Sequence, residues 1–438
     1  MTPETPIPPL GGGALSLLLL QLAVLLSVAL LLGRLAVRVS LPPLVGELLT
    51  GLIIGPSLFF WLAPRAAGWL FPARPEQWHL LDAVGQVGVV LLVGITGMQL
   101  DLGLVRRRAA TAVRVSLPGL VIPLYLGIGA GLLLPAALLT EDTDRLVFAL
   151  FLGVAMSVSA IPVIAKTLMD MNLLHRNIGQ LILMSGTIDD VLGWLGLSVV
   201  TAMATVGLHA AGVARSLLHL VLFVALAAGP GRLLVRRLLR LTLRSGEPAV
   251  TVTAAVAVVV LLSAVTNLLA LEAIFGALVG GMLVAAAGPA VVARLASLRF
   301  VVAAVLAPVF FAIAGLRMDL AALADPTVLF AGLVLLVIAV LGKFTGAFAG
   351  ARLSRLNRWE ALALGAGMNA RGVVEVVVAM VGVRLGVLST GMYTVIVLIA
   401  IVTSLMSPPI LRAAMARVEL NADELVRQEH GRELSVEH

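Results

Sequence analysis

The chain has 438 residues, of which 61% are hydrophobic and only 12% are Asp, Glu, Lys or Arg, about half the charged share of a soluble domain. A mean hydropathy of +1.11 and recurring apolar runs of about 18–23 residues fit crossings of a ~30 Å hydrocarbon layer, which excludes a soluble enzyme, a nucleic-acid binder and a disordered scaffold. The net charge of +7 reads as basic cytoplasmic loops, and the absence of Cys removes disulfides and thiolate chemistry.

In chain order, residues 1–13 hold no basic residue and no cleavage-like pattern, so an extracellular N-terminal segment without a signal peptide is expected. Thirteen spans follow, near 14–33, 41–63, 81–100, 115–138, 146–169, 178–206, 216–230, 248–267, 272–289, 300–317, 327–349, 359–382 and 390–411. A tail at 412–438 closes the chain and is too short for a nucleotide-binding or regulatory domain. Loops on one side carry most of the arginines, among them Arg34, Arg38, Arg106, Arg107, Arg108, Arg114, Arg176, Arg232 and Arg236. The other side has few, namely Arg65, Arg74, Arg145, Arg215, Arg317 and Arg384. This bias predicts an outside N-terminus and a cytoplasmic tail.

The thirteen spans divide into repeat one (about 14–206), a linker helix (about 216–230) and repeat two (about 248–411). An offset of seven makes the repeats inverted and pairs span five with span twelve. Both are interrupted, span five by Ser157-Val158-Ser159-Ala160-Ile161-Pro162 and span twelve by Gly365-Ala366-Gly367-Met368-Asn369-Ala370-Arg371-Gly372. Small polar residues, Pro and Gly at matching depths predict broken helices whose freed backbone groups line a cavity. Ordinary close packing of glycine-rich helices is the bland alternative.

A charge at mid-membrane needs a partner, water or a function. Span six carries two adjacent carboxylates, Asp189 and Asp190, about twelve residues into an apolar helix. Neighbours on a helix differ by about 100°, so one can face a buried cation while the other faces an aqueous cavity. Such a carboxylate can hold a proton or a small cation but not both at once, and that competition suffices for exchange. Adjacent acids also occur in magnesium-dependent prenyl transfer and in intramembrane aspartyl proteolysis. A second Asp-rich cluster is lacking, and only Glu47 and Glu375 are comparably placed on other spans.

Of the 30 basic residues, two are Lys. Lys343, within Leu341-Gly342-Lys343-Phe344-Thr345-Gly346 on span eleven, is the candidate partner of Asp189, since Lys can lose its proton when buried and Arg cannot. Lys166 reads as snorkelling to the interface. Arg371 and Glu375 form an i,i+4 pair that neutralises itself or positions the broken helix. Glu47 reads as structural, and His175, His209 and His219 fall in or near loops.

Taken together from about Leu41 to Leu411, these segments resemble the cation:proton antiporter superfamily, specifically bacterial sodium/proton antiporters and plant cation/proton exchangers. Leu41-Pro42-Pro43-Leu44-Val45-Gly46-Glu47 with Gly55-Pro56-Ser57 resembles the family's second span, and Ser157 to Ala165 its unwound crossing helix. Ile188-Asp189-Asp190-Val191 resembles the ion-binding motif, and Pro308 to Leu320, Gly342-Lys343 and Met368 to Glu375 resemble later motifs. The resemblance implies an all-α polytopic fold with two inverted six-helix repeats and crossed broken helices. It also implies a homodimer in which a core domain moves the site against a dimerisation domain.

By that resemblance Asp190 is the main ion- and proton-carrying carboxylate and Asp189 the partner of Lys343, while Ser157 and Ser159, or their carbonyls, complete the site. The expected ion- and proton-binding set is therefore Asp190, Asp189, Ser157, Ser159 and Thr187, with Lys343, Arg371, Glu375 and Asn369 as charge partners. The transported Na⁺ would sit on Asp190 and Asp189, and no cofactor is expected. Asp rather than Asn at 189 resembles members that exchange two protons per cation. The tail, lacking a nucleotide-binding domain, is unlike the ligand-gated potassium-efflux branch. The expectation is a secondary antiporter of the bacterial inner membrane, not an enzyme, exchanging Na⁺, K⁺ or Li⁺ for protons. The alternatives are a divergent member that transports or acts on a lipophilic compound, and a channel.

Overall fold

The computed structural model describes residues 11–39, 41–99, 109–141, 143–171, 173, 175–206, 210–421 and 424. Most of the N-terminal segment, Arg106 to Arg108, His209 and the tail beyond 424 lie outside the described residues. The described chain is helical: α1 (Gly12–Arg38), α2 (Pro43–Ile54), α3 (Pro75–Gln99), α4 (Ala109–Leu133), α5 (Arg145–Ser157), α6 (Ile161–Asp170), α7 (Asn177–Val206), α8 (Ala210–Leu226) and α9 (Arg232–Thr242). There follow α10 (Pro248–Leu268), α11 (Ala273–Ala285), α12 (Ala296–Leu316), α13 (Pro326–Leu353), α14 (Arg358–Met368), α15 (Val373–Arg384) and α16 (Thr390–Met415).

Ten helices among the described residues are long and apolar enough to cross a membrane, and α14 with α15, bent by 41° at their break, makes an eleventh. The protein is thus a multi-pass helical membrane protein. Two of the thirteen expected spans fall short of that criterion. Span five is split into α5 and α6, and span nine is a helix of 13 residues, α11, only ~20 Å long at 1.5 Å per residue. Span seven runs further than expected. The chain kinks at Ala227–Gly231, where Gly229 leaves helical geometry ahead of Pro230, and a second helix, α9, follows directly. Hydropathy ends the span there because Arg232, Arg236, Arg237 and Arg240 are exposed, while Val235 and Leu239 are buried.

By its contacts the chain divides into two units. The first comprises Met1–Leu92 and Leu298–Asp319. Its core gathers Leu25, Ile54, Leu70, Phe71, Leu81, Ile313 and Leu316. Backbones of α2 and α12 meet without side chains between them, so that a Cβ on Gly51 would lie 2.0 Å from the Ala312 carbonyl oxygen. Arg317, expected at the outer surface, donates at 2.5 and 2.6 Å to Asp82. Glu47 lines a cavity of about 480 Å³ together with Arg34 and Arg38.

The second unit comprises Val93–Ser297 and Leu320–His438. Within it α13 lies along α4 on a row of glycines, Gly342, Gly346 and Gly350. A Cβ would come within 2.4 Å of the Pro118 carbonyl oxygen at Gly346, and within 2.0 Å of the Arg114 carbonyl oxygen at Gly350. Such small-residue contacts let membrane helices approach closely where no hydrophobic force drives them together. Arg176, counted among the loop arginines, is buried and donates to Glu424 at 3.2 Å. Glu424 also accepts from the Asn177 N–H at the start of α7, where a carboxylate satisfies an orphan donor and suits the helix dipole. Arg384 pairs with the buried Glu272 at 2.7 Å. Lys166 is exposed, and His219 meets the Leu269 carbonyl at 3.1 Å.

Candidate functional site

The two interrupted spans meet inside the second unit. Helix α5 is capped at its start by Asp144, which accepts from the Leu146 and Val147 N–H groups, and it ends at Ser157, beyond which the chain runs extended to α6. Helix α14 opens on a reciprocal cap between Asn357 and Glu360 and ends at Met368. The breaks touch directly: the Ala160 N–H donates to the Ala370 carbonyl at 3.1 Å, and Ser159 Oγ donates to the Met368 carbonyl at 2.9 Å.

Unwinding leaves the last carbonyls of α5 without helical donors, and they carry the negative end of its dipole. Two cations take them. Arg371 donates to the Ala155 carbonyl at 2.9 Å and the Met156 carbonyl at 2.5 Å, and reaches the Ala339 carbonyl at 3.2 Å. Lys343 Nζ donates to the Ser157 carbonyl at 2.7 Å. The Ser157 carbonyl, expected among the cation's ligands, therefore already holds the ammonium, and Ser157 Oγ donates back to the Val154 carbonyl. Arg371 also pairs with Glu375 at 3.3 Å, both side chains fully buried.

Asp189 and Lys343 form an ion pair with no exposed side-chain surface. Asp189 is heavily satisfied. It accepts from Ser116 Oγ on one oxygen and from Lys343 Nζ on the other, and Ser159 Oγ, whose single proton is shared with the Met368 carbonyl, lies 3.1 Å from that second oxygen. Asp190, one residue on, is equally buried, yet neither of its oxygens has a hydrogen-bond partner. The N–H of Ile161, at the start of α6, faces it without reaching hydrogen-bond geometry. The Asn369 side chain is likewise buried with both its oxygen and its nitrogen unpartnered. Thr187 stands apart from this cluster in its bonding, since its hydroxyl donates to the Leu183 carbonyl of its own helix.

The pair of carboxylates is thus divided. Asp189 is held by two hydroxyls and the Lys343 side chain, whereas Asp190 is a buried acceptor with neither oxygen hydrogen-bonded. Leaving a charged carboxylate so costs several kcal/mol of desolvation, a cost that a proton or a cation on it would offset. Chemically the site can bind one small cation or one proton, reversibly and without covalent change.

Three supporting residues escaped the sequence reading. Ser116 lies on α4, 73 residues from Asp189, and nothing in its local pattern marks it. Ser404 and Ser407 on α16 hold the second break by donating to the Arg371 and Ala366 carbonyls. Ser404, Ser407 and the following Pro408 interrupt an apolar span, and that was the one available signal.

The family described as "Sodium/hydrogen exchanger, transmembrane" matches residues 23–417. The chain is similar to "Cation/H(+) antiporter 17" of Arabidopsis thaliana, 29% identical over 408 residues, covering 91% of this chain and 48% of that one. It is similar to "Na(+)/H(+) antiporter NhaS4" of Synechocystis sp., 29% identical over 366 residues, covering 83% of this chain and 88% of the relative. The chain therefore spans about half the length of the plant relative. Its fold resembles the sodium proton antiporter MjNhaP1 from Methanocaldococcus jannaschii at pH 8, with a TM-score of 0.66, 17% identity, and coverage of 92% of this chain and 97% of that one.

Proposed function

The chain belongs to the sodium/hydrogen exchanger family, and on that premise we propose that it exchanges a monovalent cation for protons at Asp190. The observation that carries this reading is the contrast between two neighbouring buried carboxylates, one held by hydroxyls and an amine and one with neither oxygen hydrogen-bonded, faced only by the Ile161 N–H. Asp190 alternates between a proton and a cation. The cation loses part of its hydration shell to carboxylate oxygens and to the free Asn369 carbonyl group across the break. Asp189 keeps its charge balanced by Lys343, so the passenger on Asp190 is traded without the site collapsing.

Sodium is the preferred cation in this proposal, with potassium and lithium as competitors, since the family description names sodium. Two inverted repeats flanking a linker helix supply the alternating exposure, by rigid movement of the unit that holds the site. The protein works as a homodimer in a bacterial inner membrane, with its tail in the cytoplasm.

Purified protein in liposomes carrying an internal pH dye tests the proposal. A proton gradient is imposed and Na⁺, K⁺ and Li⁺ are added in turn. Cation-dependent dissipation that disappears in Asp190→Asn is the expected result and ranks the ions. No response to any of the three between pH 6 and 9 from folded protein sinks the exchange reading.

A further inference from the structure

The first unit holds a cavity that the exchange site does not use. Its volume of about 480 Å³ falls within the roughly 300–1,000 Å³ of small-molecule sites. Arg34, Arg38 and Glu47 supply its charges, and every other lining residue is nonpolar. Among the described residues none of these three side chains has a hydrogen-bond or ion-pair partner. Small residues make the space: Ala29 and Gly33 of α1, and Ala303 and Ala304 in a π turn of α12, line the cavity without filling it. Leu30, Val37, Ala303 and Ala304 are exposed, so the cavity opens sideways, out of the helix bundle.

Its polarity is segregated along the membrane normal. Leu26, Leu30, Arg34 and Arg38 recur every four residues and so share one side of α1 over about 18 Å, apolar at one end and cationic at the other. With 27 residues, α1 is about 40 Å long. A ~30 Å hydrocarbon layer centred on it puts Arg34 at the boundary and Arg38 among the headgroups. Gly46 packs on the α1 backbone, where a Cβ would meet the Leu32 carbonyl oxygen at 2.3 Å. Glu47, the next residue, is half-buried and stands within about one turn of Arg34 in depth. Arginines at the end of a span are expected from topology alone, but topology does not set a carboxylate and an open cavity beside them.

We propose that this cavity binds an aminophospholipid of the phosphatidylethanolamine type. Its phosphate lies on Arg34 and Arg38, its primary ammonium on Glu47, and one acyl chain runs along Leu30 and Leu26. Guanidinium forks match phosphate oxygens, and the ammonium, two carbons from the phosphate, has three N–H donors for the carboxylate. An anionic lipid without an amine satisfies the arginines but leaves Glu47 unpaired beside a phosphate. A choline headgroup carries the same charges as ethanolamine and has no N–H to donate. The site stands independently of the exchange reading, because none of its residues belongs to the unit that holds Asp190.

Native mass spectrometry of the full chain, released from detergent, counts bound lipid as phosphatidylethanolamine, phosphatidylcholine or phosphatidylglycerol of identical acyl chains is titrated in. Wild type should bind the ethanolamine lipid about tenfold tighter than either of the others, the effect of one hydrogen bond to a charged group. Glu47→Gln should remove that preference, and Arg34→Gln combined with Arg38→Gln should weaken all three lipids by about tenfold or more. Melting temperatures confirm that each variant is folded. Equal affinity for the three lipids in wild type overturns the proposal without recourse to any variant. So does an ethanolamine preference that survives Glu47→Gln. A dimer that carries no lipid, and that dissociates in the double arginine variant, gives the cavity to a second copy of the chain and overturns the lipid as its occupant.

Discussion

Replacing Lys343 by Met tests whether the Asp189 pair is an interaction or a coincidence of burial. In wild type the ammonium meets Asp189 and the Ser157 carbonyl with no exposed surface. The Met side chain fills similar volume but leaves Asp189 charged, held only by Ser116 and Ser159, and adjacent to Asp190. Breaking a buried pair by removing one partner destabilises by about 3–5 kcal/mol, because the remaining charge is uncompensated. Adding Asp189→Asn removes that charge and keeps an acceptor oxygen for one of the two hydroxyls, the other being able to accept from the new amide NH2. The double variant should therefore be more stable than Lys343→Met alone, with a coupling energy of about 1.5–3 kcal/mol. Equilibrium unfolding in mild detergent, monitored by tryptophan fluorescence, measures all four corners of the cycle. Additive losses, within about 0.5 kcal/mol, would refute the pairing as the reason for Lys at 343.

Three further outcomes follow from the same contacts. Asp190→Asn should abolish exchange while leaving the melting temperature unchanged or raised, because Asp190 has no hydrogen bond to lose; a loss of stability above about 1 kcal/mol contradicts the geometry. Arg371→Lys keeps the charge but cannot span the Ala155, Met156 and Ala339 carbonyls together, so thermal unfolding should reveal a loss of about 2–4 kcal/mol, and an unchanged melting point refutes the clasp. Gly346→Val forces a Cβ to within 2.4 Å of the Pro118 carbonyl oxygen and should destabilise by about 1–3 kcal/mol, whereas Gly68→Ala, with nothing within 4 Å, should be neutral in the same melt.

Much of this protein is legible before any coordinates, and the reason is the membrane. Hydrocarbon demands long apolar helices with every backbone group satisfied internally, so hydropathy alone locates the spans, and anything that breaks the rule stands out. Asp189, Asp190, Lys343, Arg371 and Glu375 are visible because each is expensive where it lies. The two interruptions are visible because Ser-Val-Ser-Ala-Ile-Pro and Gly-Ala-Gly-Met-Asn-Ala-Arg-Gly cannot continue an ordinary helix. The reading failed where periodicity stops being informative. It gave α11 more length than its 13 residues, and it did not foresee that a second helix follows the kink at Gly229 and Pro230.

What tertiary structure alone decided is who satisfies whom. Composition placed two carboxylates side by side, but only packing allots Ser116, Ser159 and Lys343 to Asp189 and leaves Asp190 bare. Arg371 looked sufficient for Glu375 four residues on, yet its guanidinium is chiefly spent on carbonyls more than 30 residues away in sequence. Those partners come from the crossing of two breaks, and hydrogen bonds of about 3 Å depend on angles and depths that no local pattern encodes. Residue types are dictated by the solvent each segment meets, whereas the pairing of their polar atoms is dictated by where distant helices happen to touch.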